Sequence, residues 1–208
     1  MSARAHEAYG QHGVSWVDRF GVWLSQRAIR LCLPAGDALE VVELGCGYRA
    51  KLLVALRDRL RRGVGVDFQI DPALHGTAPF TFFEGPIEDT LPKLGAGEFD
   101  VVMLISVLEH LSAPLAALES ARALLKPGGV LLINVPTWRG KAFLEFSAFR
   151  LGLSPKVEMD DHKMYYDKRD LWPLLVKAGF RPSRIALRYH KFGLNLFATA
   201  SRSDDEPD

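Results

Sequence analysis

The sequence Val41-Val42-Glu43-Leu44-Gly45-Cys46-Gly47-Tyr48-Arg49-Ala50 decides the fold of this protein. A short apolar run ends in a carboxylate, two glycines follow at alternate positions, and a helical pattern begins directly afterwards. This order predicts a strand, a tight turn and a helix, with few side chains in the turn so that a ligand can approach the backbone. The function therefore depends on which ligand this turn binds.

Strand and helix patterns alternate on both sides of the turn. Strand patterns occupy 39–44, 64–67, 81–84, 99–105 and 130–135, and helical patterns occupy 51–60 and 112–125. Short links between such elements predict an α/β fold with a doubly wound parallel sheet. In such a sheet the ligand lies over the carboxyl ends of the strands, where the glycine turn is also expected.

Three helical patterns carry further expectations. An amphipathic helix at 14–33 is expected to pack against the sheet. Arg61-Arg62-Gly63 is expected to close the helix at 51–60, with cations and a glycine at its C-terminus. Asp170 is expected to be the N-cap of a helix at 171–178.

The last third of the chain departs from the regular alternation. The stretch 137–166 is helix-like and unusually aromatic, and an insertion at the strand ends is expected to form part of a lid. Strand patterns at 184–189 and 194–200 predict a hairpin that adds an antiparallel edge. The polar, acidic tail at 201–208 is expected to be disordered.

Length and composition weigh against several classes of protein. The 208 residues suit one α/β domain, and a net charge of +1 weighs against a nucleic-acid-binding protein. Two cysteines, Cys32 and Cys46, predict neither a disulfide framework nor a zinc site, and they fit a reducing cytoplasm. No signal-peptide pattern opens the sequence, and no apolar run approaches the ~20 residues that span a bilayer. We therefore expect a cytoplasmic protein without a membrane span, as a monomer or homodimer.

The glycine turn suits two classes of ligand. Residues Gly45 to Ala50 match the pattern G-x-G-x-x-G/A, and Asp67 follows at the distance found in nicotinamide enzymes and in nucleoside-binding methyltransferases. Glu43 separates the two classes, because a carboxylate at the strand end repels a pyrophosphate and attracts an ammonium and a sulfonium. The charge therefore favours S-adenosylmethionine.

Four motifs, in order, resemble those of the class I S-adenosylmethionine-dependent methyltransferases, in the small-molecule branch that includes types 11 and 23. They are Glu43-Leu44-Gly45-Cys46-Gly47, Val66-Asp67, Phe99-Asp100-Val101-Val102 with Val107-Leu108-Glu109-His110-Leu111, and Leu124-Leu125-Lys126-Pro127-Gly128-Gly129. The resemblance implies a Rossmann-like doubly wound seven-stranded sheet, order 3-2-1-4-5-7-6 with strand 7 antiparallel. It divides the chain into an N-terminal helical cap at 1–38, a methyltransferase domain at 39–200 with the lid insertion, and the tail.

The resemblance also implies roles for individual residues of the cofactor site. Gly45, Cys46 and Gly47 would lie along the methionine part of the cofactor, and Glu43 would bind its ammonium. Asp67 would accept hydrogen bonds from both ribose hydroxyls, a task for which a carboxylate is suited because it can bind two neighbouring donors. The other implied contacts are Phe68 beside the adenine, the backbone of Ile105 and Ser106, and Ile87 and Glu88.

Two positions depart from the family pattern. Arg49 stands where relatives often carry a third glycine, so its side chain must point away or reach the methionine carboxylate. Gly85-Pro86 replaces the Gly-Asp pair that usually meets the adenine amine, and proline supplies neither a carboxylate nor an N–H. Glu88 or Asp89 would then replace the lost acceptor, while the Ile87 N–H would serve the adenine ring.

Methyl transfer to a hydroxyl needs a group that removes the hydroxyl proton. His110 after strand four is the first candidate base and His162, near the end of the 137–166 stretch, is the second, because histidine titrates near neutrality. Some quinone O-methyltransferases carry a Glu-x-x-Glu-His cluster after strand four, but Ser106 occupies its first position here. We therefore predict no metal site.

The sequence thus predicts S-adenosylmethionine-dependent methyl transfer to a small-molecule acceptor, at oxygen. A glycan, lipid or secondary-metabolite intermediate is the acceptor class that the resemblance implies. A nicotinamide-dependent oxidoreductase is an alternative, which the glycine pattern permits and Glu43 opposes. A catalytically silent methyltransferase-fold partner protein is another, because Pro86 alters the adenine contact and no base is obvious.

Overall fold

The computed structural model of the protein describes residues 16–142 and 163–203. One sheet contains β1 Leu39–Leu44, β2 Leu60–Asp67, β3 Phe80–Glu84, β4 Phe99–Ile105, β5 Leu125–Pro136, β6 Ile185–His190 and β7 Asn195–Ser201. The flanking helices are α1 Trp16–Cys32, α2 Lys51–Val54, α3 Ile87–Thr90, α4 Pro114–Leu124 and α5 Lys168–Lys177. No helix in these described ranges is long and apolar enough to cross a bilayer.

The strands follow the order β3-β2-β1-β4-β5-β7-β6. β1 to β5 pair in parallel, whereas β7 pairs antiparallel with both β5 and β6. The predicted α/β fold, its strand order and the antiparallel seventh strand are confirmed. The chain winds from β1 to β3 on one side and from β4 onward on the other, so the ligand crevice expected at a topological switch point lies between β1 and β4.

Both faces of the sheet are buried, as expected for a mainly parallel sheet between helices. Alternation along the strands sends Val42 and Leu104 to the face that α4 and α5 cover. Val41 and Met103 point to the opposite face, under α1 and α2. Ile29 of α1 belongs to that second core, so the predicted packing of the N-terminal helix against the sheet is confirmed.

The helix predicted at 51–60 is wrong in its length. α2 ends at Val54, a turn of 3-10 helix follows at Arg57–Arg59, and β2 begins at Leu60. Gly63 is therefore an interior residue of β2 and does not end a helix. A Cβ on Gly63 would come 2.8 Å from Cδ1 of Phe80 on β3, so the packing of this ring, rather than a helix end, explains the glycine.

The N-cap predicted at Asp170 is also wrong. α5 begins at Lys168 and its N-cap is Asp167. The two aspartates form a capping box, in which the Asp167 side chain accepts from the Asp170 backbone and the Asp170 side chain accepts from the Asp167 N–H at 2.8 Å. Pro173 consequently lies inside the helix.

The carboxyl-terminal strand extends further than predicted. Ser201 is the last residue of β7, and Arg202 and Ser203 are buried, so the prediction of disorder is wrong for these three residues. Nη1 of Arg202 donates to the carbonyl of Leu125 at 2.7 Å, which fixes this end of the chain to β5. Residues 204–208 and residues 143–162 of the predicted lid lie outside the described residues.

Candidate active site

The glycine turn closes directly onto the end of β2. The N–H groups of Gly45 and Cys46 donate to the carbonyl of Val66 over 2.8 and 3.0 Å. Gly45 and Gly47 have φ angles of 78° and 73°, in the left-handed region that glycine adopts at little cost. A Cβ on Gly45 would lie 2.3 Å from Cγ2 of Val107, so a side chain there would collide with the loop after β4.

Asp67, the last residue of β2, faces the glycine turn. Its Oδ2 accepts from the N–H of Gly47 at 2.6 Å, and its Oδ1 accepts from the N–H of Phe68 at 2.8 Å. Burial raises the pKa of Asp67, while these two hydrogen bonds oppose the rise. Each carboxylate oxygen retains acceptor capacity, so two neighbouring hydroxyl donors fit the residue.

Glu43 lies beneath the turn and is only 1% exposed. Its Oε2 accepts from the N–H of Leu53 in α2 at 3.1 Å. Burial raises the pKa of Glu43 to about 8, the Leu53 hydrogen bond opposes the rise, and Asp67 adds to it. Glu43 is therefore mostly protonated at pH 7, and a cationic ligand would favour its charged form. Burial likewise raises the pKa of the Cys46 thiol, which stays protonated.

The segment after β3 lies beside the end of β2. The N–H of Gly85 donates to the carbonyl of Asp67 at 2.9 Å. Pro86 is the N-cap of α3, so Ile87 is its first residue and its N–H has no acceptor within the helix. Phe68 is 41% exposed and Glu88 is exposed, so both side chains are accessible to a ligand on this side of Asp67.

The end of β4 carries a strained residue. Ser106 is exposed and has a φ of 58°, a conformation that non-glycine residues adopt only at some cost. Its N–H donates to the carbonyl of Asn134 in β5 at 2.8 Å, which fixes the turn after Ile105. Strain of this kind is concentrated at functional sites.

His110 follows this turn at the end of a 3-10 helix, Leu108–His110. Its side chain is half-buried and its N–H donates to the carbonyl of Val107 at 2.9 Å. His110 therefore lies beside the loop that contacts Gly45. The other predicted base, His162, lies outside the described residues. Among the residues that are described, no three His, Cys, Asp or Glu side chains are grouped as a metal site.

Glu109 is a site residue for which the sequence assigned no role of its own. It is 1% exposed, and its Oε2 has no hydrogen-bond partner among the described residues. Burial raises its pKa to about 8, and Lys191 opposes the rise. Its carbonyl accepts from the N–H groups of Lys163 and Met164. The sequence signals were its place beside His110 and its match to the second glutamate of the Glu-x-x-Glu-His cluster. Its burial could not be predicted, because it arises from packing with these distant segments.

Arg49 lies on the surface next to the turn. It is exposed and lines a cavity of about 520 Å³ that Gln26, Lys51 and Asp71 also line. This cavity opens beside α2 and contains none of the predicted cofactor residues. The larger side chain at this position is accommodated because it projects over the surface.

The comparison with known families decides the class of this protein. A family model described as a methyltransferase domain matches residues 16–184. The chain belongs to this methyltransferase family. The resemblance to S-adenosylmethionine-dependent methyltransferases that the motifs indicated is thereby confirmed, and S-adenosylmethionine is the cofactor of that class. The turn, Asp67 and Glu43 of this methyltransferase domain fit a ligand with vicinal hydroxyls and an ammonium.

Individual relatives resemble this methyltransferase domain over part of their length. The ubiquinone biosynthesis O-methyltransferase of Histophilus somni is 31% identical over 142 residues, which cover 62% of this chain and 57% of that protein. The protein of the same name from Vibrio parahaemolyticus is 30% identical over 112 residues, covering 50% and 47%. The chain thus spans about half the length of these relatives.

A solved structure shares the fold. It is the methyltransferase in a complex with the Haloferax volcanii Trm112 methyltransferase activator, with a TM-score of 0.71 and 18% identity. The match covers 89% of this chain and 91% of that one. At this identity the likeness supports the fold of the methyltransferase domain and nothing more specific.

Proposed function

We propose that this protein transfers the methyl group of S-adenosylmethionine to an oxygen of a small-molecule acceptor. The observation that carries the proposal is the junction of the glycine turn with Asp67, at the carboxyl edge of the sheet. A ligand with a ribose and a cationic amino-acid tail matches a carboxylate with spare acceptor capacity beside a turn with two glycines. The relatives named as O-methyltransferases support oxygen as the methylated atom.

The proposed cofactor site spans the carboxyl ends of β1, β2 and β4. Asp67 would bind the ribose hydroxyls and Glu43 the ammonium, with the methionine part along the turn. Phe68 and the N–H of Ile87 would meet the adenine, with Glu88 as the acceptor for its amine. The other proposed contacts are Gly45, Cys46, Gly47, Ile105 and Ser106.

S-adenosylmethionine, when bound, would supply a methyl group on a positively charged sulfur, and an acceptor oxygen in line with the carbon–sulfur bond would take the methyl while the sulfur leaves as a neutral thioether. The chain then has two tasks, to hold the acceptor oxygen in line and to take its proton. We propose His110 as the proton acceptor, with the adjacent Glu109 as a second group able to hold a proton near neutral pH. His162 is proposed from the sequence alone.

Titration calorimetry with S-adenosylmethionine, S-adenosylhomocysteine and NAD tests the cofactor. We expect binding of the first two and none of NAD. Release of S-adenosylhomocysteine is then measured over a panel of phenols, catechols, sugars, hydroxy acids and prenylated phenols. Cofactor binding without methylated product from any acceptor would favour the catalytically silent partner protein, and binding of NAD alone would favour the oxidoreductase.

A further inference from the structure

Four arginines lie at the amino edge of the sheet, opposite the proposed cofactor site. Arg122 is in the last turn of α4, which ends where β5 begins. Arg202 directly follows β7, and β7 ends beside the start of β5 because the two strands are antiparallel. Arg181 and Arg184 precede β6, which begins beside the end of β7. These four residues, the arginine cluster, therefore surround the point at which the chain leaves the sheet.

Two members of the arginine cluster are held close together. Nη1 of Arg202 donates to the carbonyl of Leu125 at 2.7 Å, and the N–H of Leu125 donates to the carbonyl of Arg122. The Arg122 side chain packs over the turn after α5, where its Nε would lie 3.1 Å from a Cβ on Gly179. Burial, with Arg202 nearby, lowers the pKa of Arg122. Arginine does not lose its proton in proteins, so two like charges lie side by side.

The surroundings of Arg202 favour an anionic ligand. Arg202 is only 6% exposed. A charged side chain is rarely buried to this degree unless it is paired, because an ion loses its hydration on burial. The carbonyl groups at the end of α4 carry only a partial negative charge, equivalent to about half a unit. A group with several carboxylates suits this place, because it can face both guanidiniums.

An acidic run follows the arginine cluster directly in the sequence, since residues 204–206 are Asp-Asp-Glu. The chain is still fixed to the protein where this run starts. Ser203 is only 2% exposed, the N–H of Arg202 donates to Gly129 at 2.9 Å, and its carbonyl accepts from Gly128 at 3.1 Å. Three extended residues span at most about 11 Å, so all three carboxylates start within reach of the arginine side chains.

We propose that the carboxylates of Asp204, Asp205 and Glu206 bind the arginine cluster and thereby hold the end of β7 against α4 and α5. Opposite charges and a short connection favour this contact within one chain. The contact is independent of the proposed methyl transfer, because the arginine cluster and the proposed cofactor site lie at opposite edges of the sheet. Binding of these carboxylates would restrict the disorder predicted for the tail to its last residues.

Thermal unfolding at two salt concentrations tests the contact. The neutral-tail variant, Asp204→Asn with Asp205→Asn and Glu206→Gln, removes three charges and keeps the length of the chain. At about 0.01 M salt we expect its Tm to lie about 2–4 °C below that of wild type, as for a small network of partly exposed ion pairs. At about 1 M salt the difference should disappear, because the screening length falls from about 30 Å to about 3 Å.

A double-mutant cycle tests whether the arginine cluster is the partner of the tail. Arg122→Gln should lower the Tm of wild type more than that of the neutral-tail variant, in which the contact is already lost. Arg184→Gln changes an exposed member of the cluster and supplies the same test if Arg122→Gln does not fold. Arg61→Gln is the matched control, because this exposed arginine at the amino end of β2 pairs with Glu40. Its effect should be the same with either tail.

Hydrogen exchange shows where the contact acts. The amides of Gly128 and Arg202 join the end of β7 to β5, and at low salt they should exchange faster in the neutral-tail variant than in wild type. The amide of Gly47, at the opposite edge, should exchange at the same rate in both proteins. The affinity for S-adenosylhomocysteine should also stay within about twofold of wild type.

Three results would overturn the proposal. A neutral-tail variant with the Tm of wild type at low salt would show that the carboxylates make no stabilising contact. An equal loss of Tm at both salt concentrations would show that the effect of the tail is not electrostatic. Additive effects of the neutral tail with both Arg122→Gln and Arg184→Gln would show that the carboxylates bind elsewhere. None of these results would bear on the proposed methyl transfer, which is measured separately.

Discussion

The N–H of Gly47 donates to Oδ2 of Asp67 over 2.6 Å, which joins the glycine turn to the end of β2. One carboxylate therefore shapes the turn from which the proposed cofactor site is built and presents its own free lone pairs to that site. The acidic residue therefore stabilises the conformation of the turn, and in the proposed site it would also bind the ligand. Structural and binding effects of substitutions at Asp67 must accordingly be measured separately.

Asp67→Ala should weaken S-adenosylmethionine binding by about 1–3 kcal/mol, the scale of a lost hydrogen bond to a charged group. The same change should lower the free energy of unfolding, because the Gly47 N–H loses its acceptor. Asp67→Asn retains one acceptor oxygen and should therefore be less destabilised. Calorimetry and thermal unfolding of the three proteins give both quantities, and an Asp67→Ala protein with wild-type affinity would refute the ribose assignment.

S-adenosylhomocysteine binding at pH 7 should release close to one proton from Glu43. The free protein holds this carboxyl protonated because its pKa is about 8, and an ammonium beside it would lower that pKa. Binding enthalpies measured in buffers of different ionisation enthalpy report the released proton. The release should vanish in Glu43→Gln and persist in Glu98→Gln, an exposed surface control. Buffer-independent enthalpy in wild type would contradict the assignment.

Gly45→Ala should destabilise the protein for two reasons that can be separated. The φ of 78° costs an alanine about 1–2 kcal/mol, and its Cβ would lie 2.3 Å from the Val107 side chain. Val107→Ala removes the contact and leaves the backbone strain, so the double variant should recover part of the loss. Denaturant unfolding of the four proteins provides the cycle, and strict additivity would show that the Val107 contact contributes nothing.

The free energy of unfolding should fall as pH rises from about 4.5 to 8. Burial raises the pKa of Glu109 and of Glu43 from 4.5 to about 8, so the folded protein binds more protons than the unfolded chain in this window. Each carboxyl adds a slope of about 1.4 kcal/mol per pH unit within it. Glu109→Gln should remove its share of the slope. Urea unfolding at several pH values measures the effect, and a pH-independent free energy would contradict it.

His110→Gln should lower kcat by about 10²-fold or more while S-adenosylhomocysteine affinity stays unchanged, as expected for a general base. Glu109→Gln is compared under the same conditions with the same acceptor. A large loss in Glu109→Gln alone would transfer the role of base to the buried carboxyl. Wild-type rates in both variants would mean that neither residue takes the proton.

Local sequence patterns predicted the sheet and the proposed cofactor side of the site. Each of these predictions depended on residues that are near neighbours in the chain. They are the glycine spacing, the carboxylates Glu43 and Asp67 at strand ends, and the apolar run at 99–105. The length of α2 could not be predicted, because the leucines that follow it, Leu56 and Leu60, suit a helix and a strand equally well. The glycine at position 63 is explained by the packing of Phe80, which is distant in the sequence and becomes adjacent only in the sheet.

The residue patterns by themselves determined the class of fold, and the motifs that resemble a known family supplied the strand order and the expected ligand of the glycine turn. Tertiary structure alone decided which polar groups are buried without partners. Glu109, Asn134 and His190 are unremarkable in the sequence, because burial and unmet hydrogen bonds depend on segments that pack from far along the chain. These unmet hydrogen bonds are therefore visible only in the folded protein, where residues that are distant in the sequence bury the polar atoms.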